Sequence, residues 1–177
     1  MARLFEFMPA FKRTSETLNI GGRIDLVDGT PASVTVNLPL STLDREVFVV
    51  TDVQMETEPL NAQAAPGFAS IIASVNKTKT DFLKINDPNC IAVVGKQLET
   101  AALGYIFQEA RQPDESSTGV EQDYLTVIAT PDFVIAGSFS TTAGGAANRM
   151  VDVRLTGFRA VATSDLYAAL VTEELNQ

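Results

Sequence analysis

The sequence contains no histidine, no tryptophan and a single cysteine, Cys90. Without histidine, the chain lacks the side chain that most often serves as a general base or a metal ligand, and it cannot form an imidazole-dependent catalytic triad. A single cysteine also excludes a disulfide within the chain, so the fold depends on packing alone. These absences predict a protein that is not an enzyme, with no cofactor.

Long apolar runs and runs of positive charge are also missing. No window approaches the roughly 20 apolar residues of a membrane-spanning helix. The N-terminal stretch MARLFEFMPAF is interrupted by an acid where a signal peptide would be apolar. The 22 acidic and 13 basic residues give a formal charge of −9, which repels nucleic-acid phosphates and anionic membrane surfaces. We therefore expect synthesis in the cytoplasm, no direct nucleic-acid binding and no membrane partner.

The dominant pattern is an alternation of apolar and polar residues with the period of two that is typical of β-strands. The strand-like segments lie at residues 23–26, 33–38, 46–58, 68–76, 90–94, 105–108, 124–129, 133–140 and 150–162. The sequence thus predicts a single all-β domain over residues 1–177, a jelly-roll-like antiparallel β-sandwich of about eight strands.

The last residues have a different pattern, which predicts a short C-terminal α-helix over residues 164–176. Ser164 is a suitable N-cap, and good helix formers follow it. The side chains of Leu166, Ala169, Leu170 and, less well in phase, Leu175 form its apolar side.

Three details of the strand pattern predict local structure. Asp28-Gly29 between the first two clear strands predicts the tip of a β-hairpin. The apolar phase changes after Gly157, which predicts a β-bulge in the last long strand. Residues 96–100 fit either one helical turn or a bend, whereas residues 109–121 are predicted to form an exposed loop.

Paired glycines and a series of arginines are the first candidates for a binding site. Gly21-Gly22 and Gly144-Gly145 lack the spacing of phosphate-binding loops, so we interpret them as turn glycines. Arg149, Arg154 and Arg159 lie on the last long strand, where they would either grip acidic neighbours or form a simple outward-facing row. We favour the row.

Clustered carboxylates are the second candidate. Asp52, Glu56 and Glu58 lie along one strand edge, and Asp114 and Glu115 lie in the predicted loop. Carboxylates in pairs bind calcium or act as an acid and base couple. Neither group has calcium-loop spacing, and strand faces that meet water normally carry such residues. We therefore predict no metal ligand within one chain, while a calcium ion held between subunits stays open.

The N-terminal segment carries more apolar side chains than a free tail should expose. The residues concerned are Leu4, Phe5, Phe7, Met8 and Phe11. They form either an N-terminal arm within residues 1–20 that binds another subunit, or a first strand packed within its own domain. Burying three phenylalanines at about 2 kcal/mol each would stabilise a subunit contact by several kcal/mol before ordering costs.

These features together resemble single jelly-roll viral coat proteins, of the type inferred from uncultured marine viruses. The segments that carry the resemblance are residues 48–58, 75–78, 85–89, 153–160 and 164–170. Proteins of this kind lack catalytic residues and bury apolar strand ends and terminal segments against copies of themselves. The missing basic arm departs from coat proteins that bind RNA directly, which puts genome contact in doubt.

Our first hypothesis is therefore a virion structural protein that self-assembles into a capsid or decorates one. The resemblance implies a symmetric assembly of the chain with itself, other virion proteins as further partners, and localisation in the virion. A second hypothesis is a glycan or small-molecule binding β-sandwich module, with Tyr105, Tyr124 or Tyr167 as the stacking residue. The third is a hydrolase that uses paired carboxylates.

Overall fold

The computed structural model describes residues 11–61, 66–112, 124–142 and 148–176. Within these ranges ten strands form two five-stranded sheets, and an α-helix follows the last strand. The elements are β1 Phe11–Arg13, β2 Leu18–Val27, β3 Ala32–Asn37, β4 Glu46–Thr57, β5 Gly67–Asn76, β6 Cys90–Ala101, β7 Gly104–Gln112, β8 Thr126–Ile128, β9 Asp132–Thr141, β10 Asn148–Ala162 and α1 Ser164–Asn176. The predicted all-β sandwich with a C-terminal helix is confirmed.

The strands follow a nested order. In the first sheet β2, β10, β4 and β8 lie side by side, and β1 continues the line of β2 along the same edge of β10. The second sheet has the order β3, β9, β5, β6, β7. Four antiparallel pairs are nested along the chain, so that each pair encloses the next: β2 with β10, β3 with β9, β4 with β8, and β5 with β6. This is the wrapping of a jelly roll, to which β7 is added at one edge.

Two apolar clusters hold the sandwich together. The inner cluster fills the space between the sheets and includes Phe48, Phe133 and Leu155. The outer cluster lies on the outward face of the first sheet, where Val47, Val49, Phe158, Ala160 and Ala162 pack beneath α1. The helix therefore covers sheet surface that would otherwise expose apolar side chains to water. Within the described ranges, no helix has the length and apolarity that crossing a bilayer requires.

The buried apolar residues of β10 change from one face to the other after Gly157, but the cause is not the predicted bulge in β10. β10 keeps one register with β2 along its whole pairing, so its side chains alternate without interruption. The residues before Gly157 are buried in the inner cluster and those after it in the outer cluster, because α1 covers the outward face only there. A bulge does lie opposite, in β4. Thr156 pairs with Asp52 and Gly157 pairs with Val50, so the β4 residue between Asp52 and Val50 has no partner in β10.

The predicted hairpin at Asp28-Gly29 is wrong, although the turn itself is present. Gly29 has a φ of +70°, and the Thr30 N–H donates to the Val27 carbonyl oxygen at 3.0 Å. β2 then belongs to the first sheet and β3 to the second. The turn crosses between the sheets because the apolar residues of both strands face the same core from opposite sides.

Two further predictions are wrong because strands β6 and β7 extend further than the sequence pattern indicated. Residues 96–100 are neither a helical turn nor a bend, since β6 runs straight through them to Ala101. Residues 109–112 belong to β7 rather than to a loop, and residues 113–121 of that predicted loop lie outside the described ranges.

Gly21-Gly22 is not a turn but part of the middle of β2. A Cβ on Gly22 would lie 2.7 Å from side-chain carbons of Ile135 and Val36, whereas a Cβ on Gly21 would meet nothing closer than 3.9 Å. Gly22 is therefore required by close packing between the sheets. The second pair, Gly144-Gly145, lies outside the described residues.

Candidate functional site

The most unusual surface of the described chain is the strand β7, which we call the β7 edge (residues 104–112). It pairs with β6 along its whole length and has no strand on its other side among the described residues. Tyr105, Ile106 and Phe107 are 73%, 58% and 50% exposed, and Leu103 in the preceding turn is fully exposed. Large apolar side chains concentrated on an open sheet edge are typical of an interaction surface.

One face of the β7 edge continues the inner side of the second sheet beyond the sandwich. Tyr105 and Phe107 lie beside Leu98 of β6 and Leu60, and these four side chains line a depression of about 260 Å³. Ile106 alternates with them and points to the opposite face of the strand. Both faces of the β7 edge are thus apolar, next to an outer backbone edge that no described strand pairs with.

The charges of the hairpin lie towards the far end of β7. Glu109 accepts a hydrogen bond from the Arg111 guanidinium at 2.7 Å, and the Lys96 ammonium lies 3.6 Å from the same carboxylate. On β6, the Gln97 amide donates to Glu99 at 2.6 Å. These charged and polar groups interact with one another within the hairpin, and residues 104–108 carry no charged side chain.

A larger cleft of about 1510 Å³ borders the lower half of β4. In the part of the chain that the structure describes, β8 pairs only with Phe48, Val49 and Val50, and no other strand pairs with β4 on that side. The polar lining of the cleft includes Arg154 and the ion pair between Arg23 and Asp152, whose closest atoms are 2.7 Å apart. No aromatic side chain lines it among the described residues, so it lacks a stacking platform for a sugar ring.

The predicted carboxylate cluster divides between different roles. Asp52 and Glu56 line the cleft, whereas the Glu58 carboxylate accepts a hydrogen bond from the Met150 backbone N–H at 3.0 Å. Across the described ranges, no three acidic, cysteine or histidine side chains are arranged to hold a metal ion. Asp114 and Glu115 lie outside those ranges.

The predicted outward-facing row of arginines is wrong, because alternation along β10 separates its members. Arg154 is exposed on the outward face. Arg149 lies over the ring of the buried Phe139, 5.4 Å from its centroid. Arg159 donates to the Pro39 carbonyl oxygen at 3.3 Å and lies 3.5 Å from the Glu46 carboxylate. Arg149 and Arg159 therefore serve contacts within the chain.

The predicted self-association residues of the N-terminal segment are described in part. Phe11 is half-buried in β1 and packs against the outer cluster within its own chain. Leu4, Phe5, Phe7 and Met8 lie outside the described residues. The contacts of Phe11 are those of a first strand, and the function of the segment as a whole stays a prediction.

The tyrosines proposed as stacking residues do not converge on one site. Tyr124 and Tyr167 are half-buried against the outer cluster, on the side covered by α1. Tyr105 is exposed on the β7 edge, away from both. These positions give no shared platform for a ligand.

The end of the chain contains a buried carboxylate that the sequence analysis missed. Glu174 in the last turn of α1 is 1% exposed. Its two carboxylate oxygens accept hydrogen bonds from the Ala129 N–H at 2.9 and 3.1 Å, and one of them also accepts from the Thr130 N–H at 3.0 Å. Glu174 thus joins the helix to the connection between β8 and β9.

The spacing of residues along α1 could have predicted that the Glu174 carboxylate is buried. Tyr167, Leu170 and Val171 pack against the outer cluster, and Glu174 continues the same stripe at the helical period. Leu175, which the sequence analysis assigned to the apolar side, is 69% exposed. An acid at an apolar position of an amphipathic helix requires buried partners, which here are backbone N–H groups.

The connection between β5 and β6 is organised around the buried Asn89. Its side-chain oxygen accepts from the Thr78 and Lys79 N–H groups at 3.0 and 3.1 Å, and its amide donates to the Thr78 hydroxyl at 2.8 Å. The Thr78 hydroxyl in turn donates to the Glu174 carbonyl oxygen at 3.1 Å. The loop and the end of α1 therefore form one hydrogen-bonded unit.

Cys90 is half-buried at the start of β6 and is a poor nucleophile. Burial and, to a smaller extent, the nearby Asp87 carboxylate together raise the pKa of its thiol to about 11. We expect native Cys90 to react with iodoacetamide at pH 8 about 100-fold more slowly than the same cysteine in urea. Intact-mass measurement over time tests this, and equal rates in the two conditions would contradict it.

Comparison with protein-family models, with curated proteins and with solved structures finds no match in any of the three.

Proposed function

We propose that this chain is a virion structural protein whose activity is symmetric self-assembly, as a capsid subunit or as a protein that decorates a capsid. The observation that carries the proposal is the β7 edge, where Tyr105, Ile106 and Phe107 are at least half exposed on a strand that, among the described residues, has a neighbour on one side only. Water contact at such side chains is unfavourable, and a partner subunit removes it. The jelly-roll strand order and the resemblance of the sequence to single jelly-roll coat proteins support the same proposal.

The charge of the chain is compatible with an assembly that contacts protein rather than genome. Its formal charge of −9 opposes direct contact with nucleic acid. The same charge would keep free subunits apart, except where a surface is apolar and locally neutral. Assembly is therefore expected to depend on ionic strength as well as on concentration.

The purified full-length chain tests the proposal directly. We expect sedimentation velocity and negative-stain microscopy to show a discrete oligomer or a closed particle that grows in population with protein concentration. Samples with calcium and with a chelator will show whether the ion bridges subunits. A chain that stays monomeric at every concentration, pH and calcium level would contradict the proposed function.

A further inference from the structure

We propose that two copies of this chain pair through the β7 edge, antiparallel and about a two-fold axis at Ile106. This inference rests on the proposed self-assembly and names the surface and the partner. The pairing would join the two second sheets into one continuous sheet across the dimer. Its partner is a second copy of the same strand.

The first argument is that no described part of the chain covers the outer edge of β7. Natural sheets block their edges with prolines, bulges, charges or a covering element. β7 is nine residues long, contains no proline, and pairs with β6 in one register without a shift. Its charged residues, Glu109 and Arg111, lie towards one end, so residues 104–108 present an uncharged backbone ladder to solvent.

The second argument is the position of the apolar side chains on that ladder. Tyr105 and Phe107 lie on one face of the strand and Ile106 on the other. With a two-fold axis at Ile106, each Tyr105 lies opposite the Phe107 of the other copy, and the two Ile106 side chains meet. Cross-strand aromatic and β-branched pairs are the contacts that stabilise neighbouring strands most.

The third argument is charge, which favours a second copy over another partner. The hairpin of β6 and β7 carries Lys96, Glu99, Glu109 and Arg111, so its charges cancel in a chain of net charge −9. Pairing about Ile106 places Glu109 opposite Leu103 and keeps like charges apart. Two copies that repel each other over most of their surface can therefore approach at this edge.

A cysteine scan along the β7 edge tests the pairing and its register. Cys90 is the only native cysteine, so Cys90→Ser supplies a background without thiols. Single cysteines are then placed at each position from 104 to 112, and disulfide-linked dimer is measured by non-reducing electrophoresis after mild oxidation. The matched control is Leu43→Cys, because Leu43 is 94% exposed in a 3-10 turn remote from β7 in the chain.

Two-fold pairing gives a sharp expectation. Only the residue on the axis meets its own copy within the Cα separation that a disulfide spans. A cysteine one position away is displaced from its copy by two residues along the strand, about 7 Å, in addition to the strand spacing. We expect one maximum at residue 106 and little dimer for the Leu43→Cys control. A flat profile, a maximum at another position, or equal linkage of the control would overturn the inference.

Charge substitution provides the second measurement. Ile106→Lys and Phe107→Lys place a charge at the proposed contact and are expected to weaken dimerisation at least about tenfold. Leu43→Lys adds the same charge elsewhere and should leave dimerisation unchanged. Because all three side chains are at least half exposed, the thermal unfolding midpoint of each variant should stay close to that of the parent. Equal dimerisation of all variants would overturn the inference.

The outcomes separate this inference from the proposed function. Particles that form normally from the lysine variants would remove the β7 pairing and leave self-assembly standing. A dimer with the expected disulfide profile that never assembles further would support the pairing and count against a capsid role. A chain that is monomeric throughout would remove both.

Discussion

Replacing Glu174 with alanine is expected to lower the free energy of unfolding by about 3 kcal/mol, because it leaves the buried Ala129 N–H and the half-buried Thr130 N–H without an acceptor. Ala129 and Thr130 donate those hydrogen bonds at 2.9 to 3.1 Å, and the carboxylate that accepts them is 1% exposed. The substitution also loses the packing of the side chain beneath α1. Urea denaturation followed by circular dichroism measures the change.

Two variants separate the hydrogen bonds from general effects on the helix. Glu173→Ala changes the exposed neighbour in the same turn and should alter the free energy of unfolding by no more than about 0.5 kcal/mol. Glu174→Gln keeps one acceptor oxygen but replaces the other with an N–H donor, so an intermediate loss is expected. A Glu174→Ala variant as stable as Glu173→Ala would show that the buried hydrogen bonds contribute little.

Most strands and the helix were predictable because each element carries its own period in the sequence. In β10, Val151, Val153 and Leu155 alternate with polar residues, and this pattern requires one buried face whatever the sheet order. α1 was predictable from its helix formers, although the predicted N-cap, Ser164, is the first residue of the helix itself. Residues 96–100 were harder, because Leu98 is the only apolar residue among them and one residue cannot show an alternation.

The sheet to which each strand belongs was not predictable from local sequence. The turn at Gly29 has the residues of a hairpin tip, yet β2 and β3 separate into opposite sheets. Local turn chemistry fixes a reversal of the chain but not the hydrogen-bond partner of the next strand. That choice depends on β10 and β9, which lie much later in the chain and occupy the edges of β2 and β3.

Candidate sites were less predictable than strands, because a site is recognised by the side chains that stay exposed once the chain has folded. The sequence predicts Tyr105, Ile106 and Phe107 as strand residues and Tyr105 as a candidate stacking residue, but it does not predict that the three form an exposed surface. Three consecutive apolar residues in a strand require cover on both faces, and only the structure reveals that β7 has a partner on one edge alone within the described ranges. The arginines of β10 show the opposite error. They were predicted to face outward, but Arg149 and Arg159 make contacts inside the chain.

Gly157 is the position where β10 passes from one apolar cluster to the other, and we expect Gly157→Ala to lower the free energy of unfolding by about 3 kcal/mol. A Cβ there would lie 2.7 Å from a ring carbon of Phe48 and would overlap the Val49 carbonyl oxygen. The Phe48 side chain is fully buried, and the Val49 carbonyl belongs to the neighbouring strand. Neither can move without disturbing the pairing of β4 with β10.

Gly21→Ala is the matched control for Gly157→Ala, because both glycines lie within strands of the first sheet. The nearest atom to a Cβ on Gly21 is the Val153 carbonyl oxygen at 3.9 Å, which is ordinary contact. Alanine should therefore raise the free energy of unfolding there by about 0.5 kcal/mol, since it restricts the unfolded chain. Equilibrium denaturation of both variants measures the difference. Equal effects at the two positions would show that close packing at the bulge does not account for the need for glycine at position 157.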